Sequence, residues 1–133
     1  MDENNITNIS FAKYRLERAK EDLEAAKLNY EHNQYKTANN RAYYSIFHAI
    51  RAVLAIERVD FKKHKSVQAY FNKNYVKTNI FPKQIGHKIV EASKIREDSD
   101  YDDEFIAEPS KTLEQIQTAE ELIKLVEEYI NNK

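Results

Sequence analysis

Arg41 and His48 are the residues of this chain whose types and spacing most readily do chemistry. They lie in the stretch "NNRAYYSIFHAI", Asn39 to Ile50, an otherwise apolar and aromatic run. Seven residues are about two turns of helix, so on a helix the two side chains share nearly one face, roughly 10.5 Å apart along the axis. Imidazole titrates near neutrality and can take or give a proton. A guanidinium stays charged and can brace a phosphate or a pentavalent phosphoryl transition state. Without a metal, such a pair suits cleavage of RNA by its own 2′-hydroxyl, with His48 as base or acid and Arg41 stabilising the phosphorane. DNA lacks that nucleophile. A second reading stands beside it: Arg41 pairs with a carboxylate, and His48 is a hydrogen-bonded interior histidine.

Other chemistries find little support. There are no cysteines, which removes disulfides, zinc–thiolate sites and thiol nucleophiles. The chain has no Gly-rich phosphate loop, no nucleophile elbow and no HExxH motif. His32, His48, His64 and His87 do not have metal-ligand spacing, and "DSDYDDE" lacks the glycine of a calcium loop. No metal site and no cofactor are expected, and the acidic stretch reads as a solvated loop. The opening "MDENNITNIS" is polar and acidic, with no apolar core of a secretory signal. No stretch approaches the ~18 apolar residues that span a bilayer. A cytoplasmic protein away from membranes is the resulting expectation.

The formal net charge of −1 hides an uneven distribution. Residues 1–57 balance eight acids against eight bases, residues 58–96 carry ten bases against Asp60 and Glu91, and residues 97–133 carry twelve acids against three bases. A basic middle can attract phosphate backbones. Lys62, Lys63, His64 and Lys65 are the candidates in that block to bind RNA or phosphate. The acidic last third could dock on the middle, screen it, or form a solvated helix face.

The elements that would position these residues are helices. One glycine and two prolines in 133 residues leave few tight turns. The first helix is expected from about Ile9 to His32, capped by Thr7 or Asn8, with Leu16, Ala19, Leu23, Ala26 and Tyr30 as its stripe. A break at "HNQ" precedes a second helix from about Gln34 to Glu57, on which Ala42, Ile46, Ala49, Ile50, Val53 and Leu54 face the core. Arg41, Tyr44, Ser45, His48, Ala52 and Ala55 form another strip, whose small alanines would let a helix of a partner subunit approach. A two-fold axis there would join two Arg/His pairs in one cleft. "RVDFKKH" is a loop. A third helix covers about His64 to Val76, with Val67, Tyr70, Phe71 and Tyr75 inward. A fourth runs from about Lys83 to Asp98, with Ile85, Ile89, Ala92 and Ile95 as its stripe. The last starts at Pro109 or Ser110 and ends near Ile130. The 133 residues read as a single all-α domain, an antiparallel up-and-down bundle of about five helices.

Three blocks, "NRAYYSIFHAIRAVLA", "HKSVQAYFNKNYVKTNIFP" and "IREDSDYDDEF", occur in that order. Together they resemble the HEPN superfamily, most closely its small stand-alone bacterial and archaeal members, over nearly the whole chain. The resemblance implies a helical bundle that dimerises through the signature-bearing helix, and a metal-independent endoribonuclease. The family's signature is an arginine, four to six residues and a histidine; Arg41 and His48 enclose six. Many stand-alone members resemble toxins paired with a minimal nucleotidyltransferase antitoxin. Two positions depart from the pattern. Ala42 stands where many active members have a polar residue; Asn40, on the other side of Arg41, is the candidate to substitute for it, though it is expected to point about 100° away around the helix. Ile50 stands where some toxins carry a tyrosine that the antitoxin adenylylates, so that control is not expected here.

The resemblance also implies a role for the block containing Arg96, Asp100 and Tyr101. Asp100 or Tyr101 would orient His48 or substrate, or else the block is a helix-end clamp in which Arg96 pairs with Asp100. His64 would cap the third helix or touch phosphate. Tyr43 and Tyr44 are the aromatics placed to stack on bases. The leading expectation is an RNA-cleaving homodimer, a toxin or defence effector. The alternative is a non-catalytic module binding nucleotide, RNA or a nucleotidyltransferase partner. A third reading is a purely structural helical dimer.

Overall fold

Alanine and leucine alternate at three- and four-residue steps along the first helix, and Ala12, Leu16, Ala19, Leu23 and Ala26 are all buried. Such a seam lets a second helix lie close against it. A computed structural model describes the backbone of residues 3–133 and the side chains from residue 6 onward. It contains α1 (Glu3–Glu31), α2 (Tyr35–Ile56), α3 (His64–Phe71) continued by a π-helical turn (Asn72–Val76), α4 (Lys83–Tyr101) and α5 (Pro109–Asn131). There is no strand among the described residues. Residues 1 and 2, part of the opening stretch read for a secretory signal, lie outside the described residues.

Cross-helix contacts give the directions. Along α1 and α2, Asn8 meets Ile56, Ser45 meets Ala19, and Arg41 meets Asp22, so the two run antiparallel. Lys20 pairs with Glu127 and Lys27 with Glu120, so α5 also runs against α1. Lys88 pairs with Glu121 and Glu91 with Lys111, which sets α4 against α5. Helices α1, α2, α4 and α5 thus alternate up and down, and α3 with its π turn crosses between α2 and α4. Ile46, Ile50, Val53, Leu54, Leu122 and Val126 fill the centre. The last third, rich in acids, docks along two of its neighbours through these exposed ion pairs.

Helix ends follow from the scarcity of glycine. Asn33, Arg58 and Asn79 adopt left-handed backbone, with φ of 62°, 58° and 65°, just past α1, α2 and the π turn. Asparagine tolerates that region and so replaces the usual glycine at two of the three ends. Pro109 occupies the first turn of α5.

Two expectations are corrected. Helix α1 begins at Glu3, so Thr7 and Asn8 lie inside it and are not caps. No glycine or proline interrupts residues 3–8, and the Asn8 amide donates to the Ile56 carbonyl at 3.2 Å instead. The strip assigned to a partner subunit is divided. Ser45, Ala52 and Ala55 are buried inside this chain, and the Ser45 hydroxyl donates to the Ala19 carbonyl at 2.7 Å. The small residues do admit a close helix, but Ser45 meets α1 of the same chain.

Candidate active site

Helix α2 carries the site on its partly exposed edge. Arg41, Tyr44, His48 and Arg51 recur at steps of three, four and three residues, which is one helical strip. Helix α1 supplies the group that joins two of them. Asp22 Oδ1 accepts a hydrogen bond from Arg41 Nη1 at 3.0 Å, and its Oδ2 lies 3.6 Å from His48 Nε2. The arginine and the histidine therefore face the two oxygens of one carboxylate. Arg41 Nε and Nη2 also donate to Asn40 Oδ1, at 3.2 and 2.7 Å. The Cβ directions of residues 40 and 41 do diverge, yet the long arginine curls back onto its neighbour. Expecting Asn40 to point away from Arg41 is corrected on that account.

Of five guanidinium N–H groups, these contacts engage three, which leaves one on each terminal nitrogen for another anion. The Arg41 side chain is 36% exposed, against 14% for Asp22. His48 is more enclosed, and its Nδ1 is buried without a hydrogen-bond partner. Burial lowers the His48 pKa; Asp22 opposes the shift, while Arg18, Arg51 and Arg15 add to it. The imidazole is thereby kept neutral, the form that accepts a proton.

Tyr44 organises the next layer. Two guanidinium groups lie over its ring, Arg41 at 5.1 Å and Arg96 at 5.7 Å from the centroid. Its hydroxyl accepts from Arg96 Nη2 at 3.4 Å, and its ring is 6.3 Å from that of His48. Tyr43 is placed differently from the expectation of a base-stacking residue. It is 2% exposed because α2 turns it inward, where its hydroxyl lies 2.9 Å from His64 Nδ1.

Arg96 and Asp100 both lie on α4 and pair at 3.2 Å across one turn. This is the clamp, and it holds Arg96 against Tyr43 and Tyr44. Tyr101 ends α4 85% exposed, with no hydrogen bond to the site among the described residues. His64 opens α3, but the side chain makes no capping bond; it stacks on Phe47 with ring centroids 4.0 Å apart. Lys62, Lys63 and Lys65 are exposed beside it, Lys65 within 3.9 Å of Glu97. Among the described residues, no group of three or more histidines and carboxylates is arranged to hold a metal ion, and no helix is long and apolar enough to cross a membrane.

Residues 12–129 match the model of the HEPN domain. The chain belongs to the HEPN domain family. This HEPN domain is 31% identical over 119 residues to a UPF0332 protein of Thermotoga maritima, covering 90% of both chains. It is also 36% identical over 87 residues to the "Putative toxin MJ0142" of Methanocaldococcus jannaschii, covering 65% of this chain and 59% of that one. A second protein of that organism, "Putative toxin MJ0605", is 35% identical over 86 residues, covering 65% of this chain and 64% of its own. The matched region thus spans less than two thirds of the two toxin-named relatives. Ala42 and Ile50, the two positions that depart from the expected pattern, are fully buried in this HEPN domain.

Sequence spacing alone misses Asp22, Arg51 and Phe47. Asp22 had a signal: it stands three residues after Ala19 and four before Ala26, an acid at the spacing of the buried stripe. Arg51 had one also, three residues after His48 on the same strip.

Proposed function

We propose that this HEPN domain is a metal-independent endoribonuclease that works as a homodimer, a toxin or defence effector of the kind paired with a minimal nucleotidyltransferase antitoxin. The observation that carries the reading is the convergence of Arg41 and His48 on the two oxygens of Asp22. A phosphodiester presents two non-bridging oxygens in much the same way. RNA phosphate would sit on the two Arg41 donors that Asp22 and Asn40 leave free, with the neutral imidazole beside the 2′-hydroxyl. His48 Nε2 takes the 2′-hydroxyl proton. The 2′-oxygen forms a bond to phosphorus, and the bond to the 5′-oxygen breaks. The departing oxygen takes a proton from solvent, which leaves a 2′,3′-cyclic phosphate and a 5′-hydroxyl. Arg41 stabilises the charge that builds on the non-bridging oxygens. The toxin reading draws support from the names of the two Methanocaldococcus relatives.

Substitution of each residue tests this. His48→Ala is expected to lower kcat by about 10²–10⁴-fold, the usual contribution of a general base. Arg41→Ala is expected to lower it by roughly 10²–10³-fold. Cleavage that survives both substitutions would overturn the proposal.

One observation favours a second reading. Three of the Arg41 donors are already engaged and its charge is matched by Asp22, as in a non-catalytic module that holds RNA, nucleotide or a nucleotidyltransferase. That reading predicts salt-sensitive RNA binding, or a stable hetero-complex, without turnover.

A further inference from the structure

Beside the Arg41–His48 strip lies a cavity of about 380 Å³ lined by Phe47, Arg51, Asp60, Phe61, Lys62 and His64. It adjoins the site, because the Phe47 ring contacts both His48 (centroids 5.9 Å) and His64 (4.0 Å). The cleavage chemistry above leaves it without a task. Its walls combine two features that nucleotides select, flat aromatic surface and positive charge.

The charge is larger than a first count suggests. Asp60 is held by two arginines, by Arg51 at 3.2 and 2.7 Å and by Arg15 at 3.2 Å. Those bonds use two of the five N–H groups of Arg51, and three remain. Lys62 adds a cation with no ion pair among the described residues. Phe61 is 40% exposed, its ring braced by Tyr70 at 5.6 Å.

The neighbours of His64 favour one tautomer. Gln68 Nε2 donates to the Tyr43 hydroxyl at 3.0 Å, which leaves the Tyr43 proton free to point to His64 Nδ1, 2.9 Å away. Arg96 Nη1, which can only donate, approaches the same nitrogen at 3.4 Å. Nδ1 is therefore the acceptor, and the ring proton sits on Nε2. Burial and the charges of Arg96 and Arg51 lower the His64 pKa, which keeps the ring in that neutral form.

We propose that this cavity is a nucleotide subsite for single-stranded RNA, in which Phe61 stacks on a base while Arg51, Lys62 and the Nε2–H of His64 hold the phosphate beside it. His64 is then a fixed hydrogen-bond donor and takes no part in proton transfer. The choice of RNA rests on the ribonuclease reading; the aromatic and cationic walls do not.

Binding of a 2′-O-methyl RNA oligonucleotide separates the two, because that probe keeps the phosphates and bases but lacks the nucleophile. Phe61→Ala and Lys62→Ala, both at exposed positions, are each expected to weaken its binding by roughly fivefold or more. Lys62→Ala should also flatten the slope of log affinity against log salt by about 0.7. Nitrogen-15 spectra of the wild-type protein should show His64 as the Nε2–H tautomer, and Tyr43→Phe should mix the tautomers. Affinity unchanged in both Phe61→Ala and Lys62→Ala, or an Nδ1–H tautomer in the wild type, would overturn the subsite. Weakened binding together with an absence of RNA cleavage would leave the subsite standing and remove the ribonuclease. Cleavage that depends on His48, with probe binding untouched by both substitutions, would do the reverse.

Discussion

Asp22 is the residue on which the chemistry of the site turns. Its carboxylate holds Arg41 directly and faces His48, so with Asn40 it helps direct the guanidinium, and it acts on the proton affinity of the imidazole. Asp22 raises the His48 pKa against the dominant effect of burial. Removing its charge in Asp22→Asn therefore lowers that pKa further. If neutral His48 is the base, the rate is lost as pH falls through the His48 pKa, which burial places below the ordinary value of about 6.5. The acid limb of kcat/KM is expected below that pH in the wild type and lower still in Asp22→Asn. A profile whose acid limb moves upward in the variant would contradict this assignment. The same depression bears on stability. A histidine whose folded pKa lies below its unfolded value stabilises the fold above the unfolded pKa, and that contribution is lost as pH falls through the folded one. His48→Gln should accordingly show a smaller fall in Tm between pH 7.5 and pH 5 than the wild type. Sequence reading reached Arg41 and His48 because both lie on one helix, where spacing fixes the shared face. It missed Asp22 because the register between two helices decides which groups meet, and a single helix does not carry that register.

At the scale of the element, the bundle was legible where apolar residues recur at helical steps. Helix α5 begins at Pro109, as expected from proline at a first turn, and α2 extends from Tyr35 to Ile56, within a residue of its expected ends. The π turn at Asn72–Val76 was not legible, since the same apolar residues fit an uninterrupted α-helix. It carries Tyr75 and Val76 into the core, and Val76 there meets the one glycine. A Cβ on Gly86 would lie 2.8 Å from Val76 Cγ1. Alanine gains about 1 kcal/mol of helix propensity over glycine, but a buried branched side chain has little room to yield, and overpacking costs about 1–3 kcal/mol. Gly86→Ala is therefore expected to lower the urea midpoint. A rise would mean that α4 shifts freely against the π turn. The exposed lysine–glutamate pairs along α5 are a contrasting case. Lys20→Ala and Lys27→Ala should each change stability by less than about 1 kcal/mol, because solvent screens such pairs.

At the scale of the molecule, the uneven charge resolves into two uses. Part of the acidic last third lies on α1 and α4 through exposed ion pairs, which helps set the antiparallel order. Lys62 and Arg51 line the cavity beside His64, where under the proposed function they would gather phosphate. The proposed homodimer places two such edges together. Sedimentation of the wild type should give twice the chain mass, and a monomer that still cleaves RNA would remove the two-fold cleft from the account. The partner surface was the least legible feature. Alanines beside Arg41 and Tyr44 signal only that some helix comes close, and Ser45 meets one from the same chain.

Incubation of RNA with wild-type protein in EDTA, beside His48→Ala and with end-group analysis of the products, tests the central claim most directly. The account predicts cleavage by the wild type alone, with 2′,3′-cyclic phosphate and 5′-hydroxyl ends. Intact RNA with a folded wild-type protein, or products ending in a 5′-phosphate, would contradict it.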